Sequence, residues 1–124
     1  MLFGLLLGAP YARSIKRNAA QHIVNSWRVA HLSLPIGATL MLAVAALLPT
    51  FTVPTWVSWA IALSLIVSSY GFCISTPLAA ITGQRGLSLG GTGLGRFVYF
   101  GNIVGAWGSI VAAIALLFAA FSSL

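Results

Sequence analysis

The sequence predicts an all-α integral membrane protein: a small helical bundle of three complete spans behind a short N-terminal apolar segment, or a four-helix bundle if that segment also crosses. Three observations predict it. Hydrophobic residues make up 60% of the chain and charged residues only 5%, whereas a soluble domain carries about a quarter charged residues. Mean hydropathy is +1.05. Uncharged apolar runs recur at close to the roughly 20 residues that a helix needs to cross a bilayer, and 124 residues hold three or four of them with short connections, which makes one bundle and not several domains.

Residues 1–10, MLFGLLLGAP, are apolar but too short to span, and read as a partial span or an interfacial stub. A signal peptide fits poorly, because the charges Arg13, Lys16 and Arg17 follow the apolar run when they should precede it. Residues 11–31 are polar and basic and read as an interfacial connection, with Ile15, Ala19, Ile23 and Trp27 at four-residue spacing on one side of a surface helix. The first complete span is expected at 32–48, with Pro35 in its first turn, where proline costs little, and Pro49 and Pro54 marking its end. The second, 55–81, opens on an aromatic anchor of Trp56 and Trp59. Ser68, Ser69, Gly71, Ser75 and Pro77 crowd its second half and predict a kink or break. A Gly-rich loop, 82–96, carries Arg85 and Arg96, and the third span is 97–121.

All six cations lie in the 11–31 and 82–96 connections, which the spans place on one face. The positive-inside rule makes those loops cytoplasmic and the C-terminus external, with a bacterial inner membrane as the expected location. A net charge of +6 could suggest nucleic acid, but charges that flank apolar spans are explained by topology and by anionic lipid, so the expected partner is the bilayer and not nucleic acid. The single cysteine, Cys73, allows no intrachain disulfide and no CxxC motif, and is read as a small buried hydrophobe.

The absence of Asp and Glu excludes most chemistry. Carboxylate acid–base pairs, proton relays and acid-ligated Mg or Ca sites need groups that this chain lacks. If it is an enzyme, a cofactor carries the hard step. The run LSLGGTGLG lacks the strand-to-helix context and the Lys-Ser/Thr ending of a phosphate loop. His31 is the most informative residue, and two readings of it stand: an interfacial imidazole with one wet face, or an axial ligand to haem iron with Arg28, Arg85 or Arg96 pairing the propionates. His22, in the basic segment, is the weaker ligand candidate. Asn102 is either an interhelical hydrogen-bonding group or a polar pocket lining, with Tyr99 on the same helical face. Gly101, Gly105 and Gly108 form a small-residue seam suited to close approach by another helix, within the chain or from a second subunit.

Arg28-Val-Ala-His31, the following Leu-Ser-Leu-Pro-Ile-Gly37, the span closing at Leu48-Pro49, Tyr70-Gly71-Phe72 and Gln84-Arg85-Gly86-Leu87 resemble the styrene oxide isomerases in order and spacing across 28–121, with an insertion between Gly71 and Arg85. Leu2-Phe3-Gly4 is similar to the end of that family's first span. The hydroxylaminobenzene mutases, with a similar histidine at the start of a span, are a sister possibility. The resemblance implies a homotrimer of four-helix subunits that binds haem b between subunits. His31 would be the metal ligand and the ferric iron a Lewis acid that opens an epoxide, a hydride shift then giving an aldehyde. Where the family carries asparagine, aspartate and tyrosine, this chain has Gly37, Leu65 and Cys73, so scaffold and ligand look kept while the polar substrate contacts look lost. The expected pocket lining is Gly37, Tyr70, Phe72, Cys73 and Asn102. The expected function is a membrane haem isomerase acting on a small apolar epoxide or hydroxylamine. The alternative is a non-catalytic accessory subunit that docks through its glycine seam into a larger membrane complex. A small transporter is the weakest of the three, because nothing acidic is present to couple cations.

Overall fold

The computed structural model describes residues 1–84, 86 and 93–124. The described residues form helices and turns without a strand: α1 (Leu2–Leu6), α2 (Gly8–Lys16), α3 (Gln21–Leu47), a 3-10 turn (Leu48–Thr50), α4 (Thr55–Thr82) and α5 (Gly93–Ser122). Three helices are long and apolar enough to cross a membrane. At about 1.5 Å per residue, each exceeds the roughly 30 Å of a hydrocarbon core.

The short helices owe their limits to two residues. Pro10 has no N–H to donate to the Leu6 carbonyl, and its ring crowds that group, so the chain breaks at Leu7 between α1 and α2. Asn18 takes the left-handed conformation, φ 49°, and ends α2. The Ala19 amide donates to the Ser14 carbonyl at 3.0 Å and the Asn18 amide to that of Ile15 at 3.0 Å, a Schellman closure that a short polar side chain tolerates. The chain then reverses, so α1 and α2 run back along the first half of α3.

This turn corrects the expected organisation of 11–31. Tyr11–Lys16 belong to α2 and Gln21–His31 are the opening turns of α3, so Ile15 and Ala19 do not share a helix with Ile23 and Trp27. Pro35 is likewise not in a first turn but in the middle of α3, where its missing N–H deprives the His31 carbonyl of its i+4 donor. The expected break in the second half of the next span is absent: α4 runs through Pro77 as one helix and stops at Gly83, whose φ of +68° suits a glycine just past a C-terminus.

Helices α3 and α5 both pack on α4. Near the end away from the cations the three converge on a core of Val44, Val57, Ile61 and Ala119, with Leu65, Ala115 and Leu116 against it. The α4–α5 contact is closer still, because glycine replaces side chains there. A Cβ on Gly71 would lie 2.8 Å from both the Gly101 carbonyl oxygen and the Gly105 nitrogen, and one on Gly101 would lie 2.8 Å from Ser75 Cβ. The approach lets Ser68 Oγ donate to the Gly105 carbonyl at 2.7 Å and sit 2.7 Å from Ser109 Oγ. The seam of Gly101, Gly105 and Gly108 is therefore spent inside the subunit, against Ser75, the Phe72 ring and Ser64–Ser68 respectively. Its use as a subunit contact is corrected accordingly.

Candidate functional site

Antiparallel α3, α4 and α5 bring the start of α3, the end of α4 and the start of α5 to one end of the molecule. His22 lies against Gly83, and Gln84 against Gly95. The described cations gather there: Arg13, Lys16 and Arg17 at the α2–α3 turn, Arg28 near the start of α3, and Arg96 in the first turn of α5. Arg28 and Arg96 are exposed. Arg85 and residues 87–92 of the Gly-rich loop lie outside the described residues.

His31 sits about 15 Å along α3 from this end, one helical turn beyond Arg28, and is only partly exposed. Its imidazole is fixed by the N-terminal helices on two sides. Nδ1 lies 3.0 Å from the Gly4 carbonyl oxygen, and the Tyr11 ring is near-parallel to it at 29°, with centroids 6.1 Å apart. Gly8 packs against the same ring, since a Cβ there would be 3.0 Å from Cε1. Gly4 in turn docks on α3 at its proline, where a Cβ would meet Pro35 Cδ at 2.6 Å. The Gly4-x-x-x-Gly8 spacing was the available signal for this contact, and the sequence reading missed it.

Within one subunit the residues expected to line a pocket lie apart. Gly37 is exposed with nothing within 4 Å of a Cβ, Phe72 packs on Gly105, and Tyr70 is exposed. Cys73 is half-buried. Asn102 lines an open cavity of about 380 Å³ together with Asn25, Ser26, Val29, Thr76 and Ala79. Asn25, Ser26 and Val29 lie on the face of α3 opposite His31, because the 3.6-residue period rotates them by roughly half a turn. The cavity and the imidazole are separate within one subunit. Leu65, where the resemblance places an aspartate, packs against the apolar core, where a carboxylate would lack compensation.

Among the described residues no three metal-ligating side chains cluster, so His22, His31 and Cys73 do not form a shared metal site there. Haem suits this donor set, because the porphyrin supplies four nitrogens and asks the protein for an axial one. A helical membrane protein that holds an imidazole toward the end where its described cations gather, in a chain without Asp or Glu, is the class that fold and site define. The chain belongs to the styrene oxide isomerase family, whose model matches residues 1–121. No curated protein and no solved structure matches it.

Proposed function

We propose that this chain is a membrane isomerase that binds haem b through His31 and rearranges a small apolar epoxide to an aldehyde. The observation that carries the reading is the held imidazole in a chain otherwise poor in reactive groups: His31 is fixed between α1, α2 and α3, and no carboxylate is present to do acid–base work. Bound haem would supply a Lewis acid for the epoxide oxygen. The residues then have simple tasks. His31 would supply an imidazole nitrogen to the iron, and Arg28 and Arg96, with Arg85 as a third candidate, would offer guanidinium groups to the propionates. The apolar outer surface of the helices admits a substrate dissolved in lipid.

The same reading carries a homotrimer in a bacterial inner membrane, with the basic end cytoplasmic. The accessory-subunit alternative loses its main structural argument, because the glycine seam is already filled by α4. The test is the absorption spectrum of detergent-purified protein expressed with ample haem, for the unmutated chain, His31→Ala and His22→Ala. A Soret band lost only in His31→Ala supports the assignment. Full occupancy in His31→Ala refutes the ligand, and an unmutated protein without haem refutes the haem reading.

A further inference from the structure

We infer that α1 and α2 are the ligand-orienting element of this protein: the Gly4 carbonyl holds the proton of His31 on Nδ1, and the bare backbone at Gly8 covers one ring face, so that Nε2 is the nitrogen left with a lone pair. The argument begins at Pro10. By breaking the helix at Leu7 it places Gly4 in the last turn of α1, where carbonyls run out of intrahelical donors. A histidine is a recurrent partner for such carbonyls. The Gly4 oxygen can only accept, so the 3.0 Å contact is a hydrogen bond for the tautomer protonated at Nδ1. In the partly buried setting of this pair an unmade bond is costly, which biases the neutral ring toward that tautomer.

Gly8 sets the ring's orientation. A Cβ built there would be 3.0 Å from Cε1, 3.3 Å from Nδ1 and 3.4 Å from Nε2. These are the distances of a point above the ring face over Cε1, not of one in the ring plane, so Gly8 restrains the tilt without standing in the direction of the Nε2 lone pair. Tyr11, near-parallel to the imidazole, limits the same motion. Pro35 completes the unit, since its ring is what Gly4 packs against. Outer partners of this kind commonly select the tautomer of a ligating histidine and fix its rotation. Gly4 and Gly8 are positioning residues, acting through His31.

What Nε2 is for rests on the proposed haem reading, whereas the tautomer is a property of the chain itself, and the two are measured separately. The first measurement uses the full chain with His22→Ala, labelled with ¹⁵N-histidine, in detergent at alkaline pH and expressed under haem limitation. The expected spectrum has a protonated Nδ1 and an unprotonated Nε2 far downfield of it. A dominant Nε2–H tautomer overturns the inference whether or not haem binds. The second compares Gly8→Ala with Gly37→Ala in haem-loaded protein. The new methyl at position 8 forces the ring to give by a few tenths of an ångström, so the iron–histidine stretching band in the Raman spectrum should shift in Gly8→Ala and stay in place in Gly37→Ala. Identical bands in Gly8→Ala and the unmutated protein overturn the positioning role. If no preparation binds haem, the proposed function falls and the ¹⁵N result still decides the tautomer.

Discussion

Replacing Gly71 by alanine tests the claim that backbone contact between α4 and α5 holds the subunit together. The new Cβ would lie 2.8 Å from the Gly101 carbonyl oxygen, 2.8 Å from the Gly105 nitrogen and 3.1 Å from the Gly105 Cα. These are backbone atoms of a helix and cannot rotate away, so the two helices must part by about 0.7 Å to reach ordinary contact near 3.5 Å. Overpacking of this kind costs about 1–3 kcal/mol. The separation also stretches the 2.7 Å bond from Ser68 Oγ to the Gly105 carbonyl and the 2.7 Å contact to Ser109, and interhelical hydrogen bonds in membranes average about 0.6 kcal/mol. The expected loss is about 2–4 kcal/mol. Against it stands the gain of about 1 kcal/mol when alanine replaces glycine within a helix, which Gly37→Ala should show alone, since nothing lies within 4 Å of its Cβ. Denaturation in mixed detergent micelles, followed by far-UV circular dichroism, compares the two. A Gly71→Ala protein as stable as Gly37→Ala would refute the packing argument.

Ser75 is fully buried against α5, and its hydroxyl finds no partner among the described residues, so Ser75→Ala should leave stability unchanged or raise it by about 1 kcal/mol in the same assay. Asn18→Gly should be neutral and Asn18→Val should cost about 1–2 kcal/mol, because a β-branched residue resists φ 49°; thermal melts of the purified proteins check both. For topology, Leu124→Cys in a Cys73→Ala background should react with a membrane-impermeant maleimide added to the outside of intact cells, and reaction from the cytoplasmic side alone would reverse the proposed orientation.

Much of this was legible because the bilayer imposes a coarse rule. Apolar runs around Met41, Leu65 and Ala112 must be helical wherever no water can satisfy a backbone, so the three spans were readable from composition and length. The gathering of cations at one end followed from the same topology. Other features were illegible for particular reasons. Helix limits at 17–20 depended on one asparagine in a left-handed conformation, which no periodicity announces. Pro35 was assigned to a first turn because polarity and not helical continuity was used to place the start of α3.

The sequence by itself determined the solvent, the helical class, the number of long spans and the absence of carboxylate chemistry, because each of these depends on which residue types are present and in what runs. It singled out His31, and its motifs marked the family. Only the tertiary structure decided what the glycines do. Gly101, Gly105 and Gly108 were available to any helix, and the chain's own α4 takes them, since contact with a covalently tethered neighbour costs less entropy than contact with a free one. Gly4 and Gly8 acquired a role only when Pro10 and Asn18 folded the N-terminal helices back on α3. A carbonyl 27 positions from His31 in the chain became its nearest polar neighbour, and a bond at that separation follows from the path of the backbone, which no local run of residues encodes.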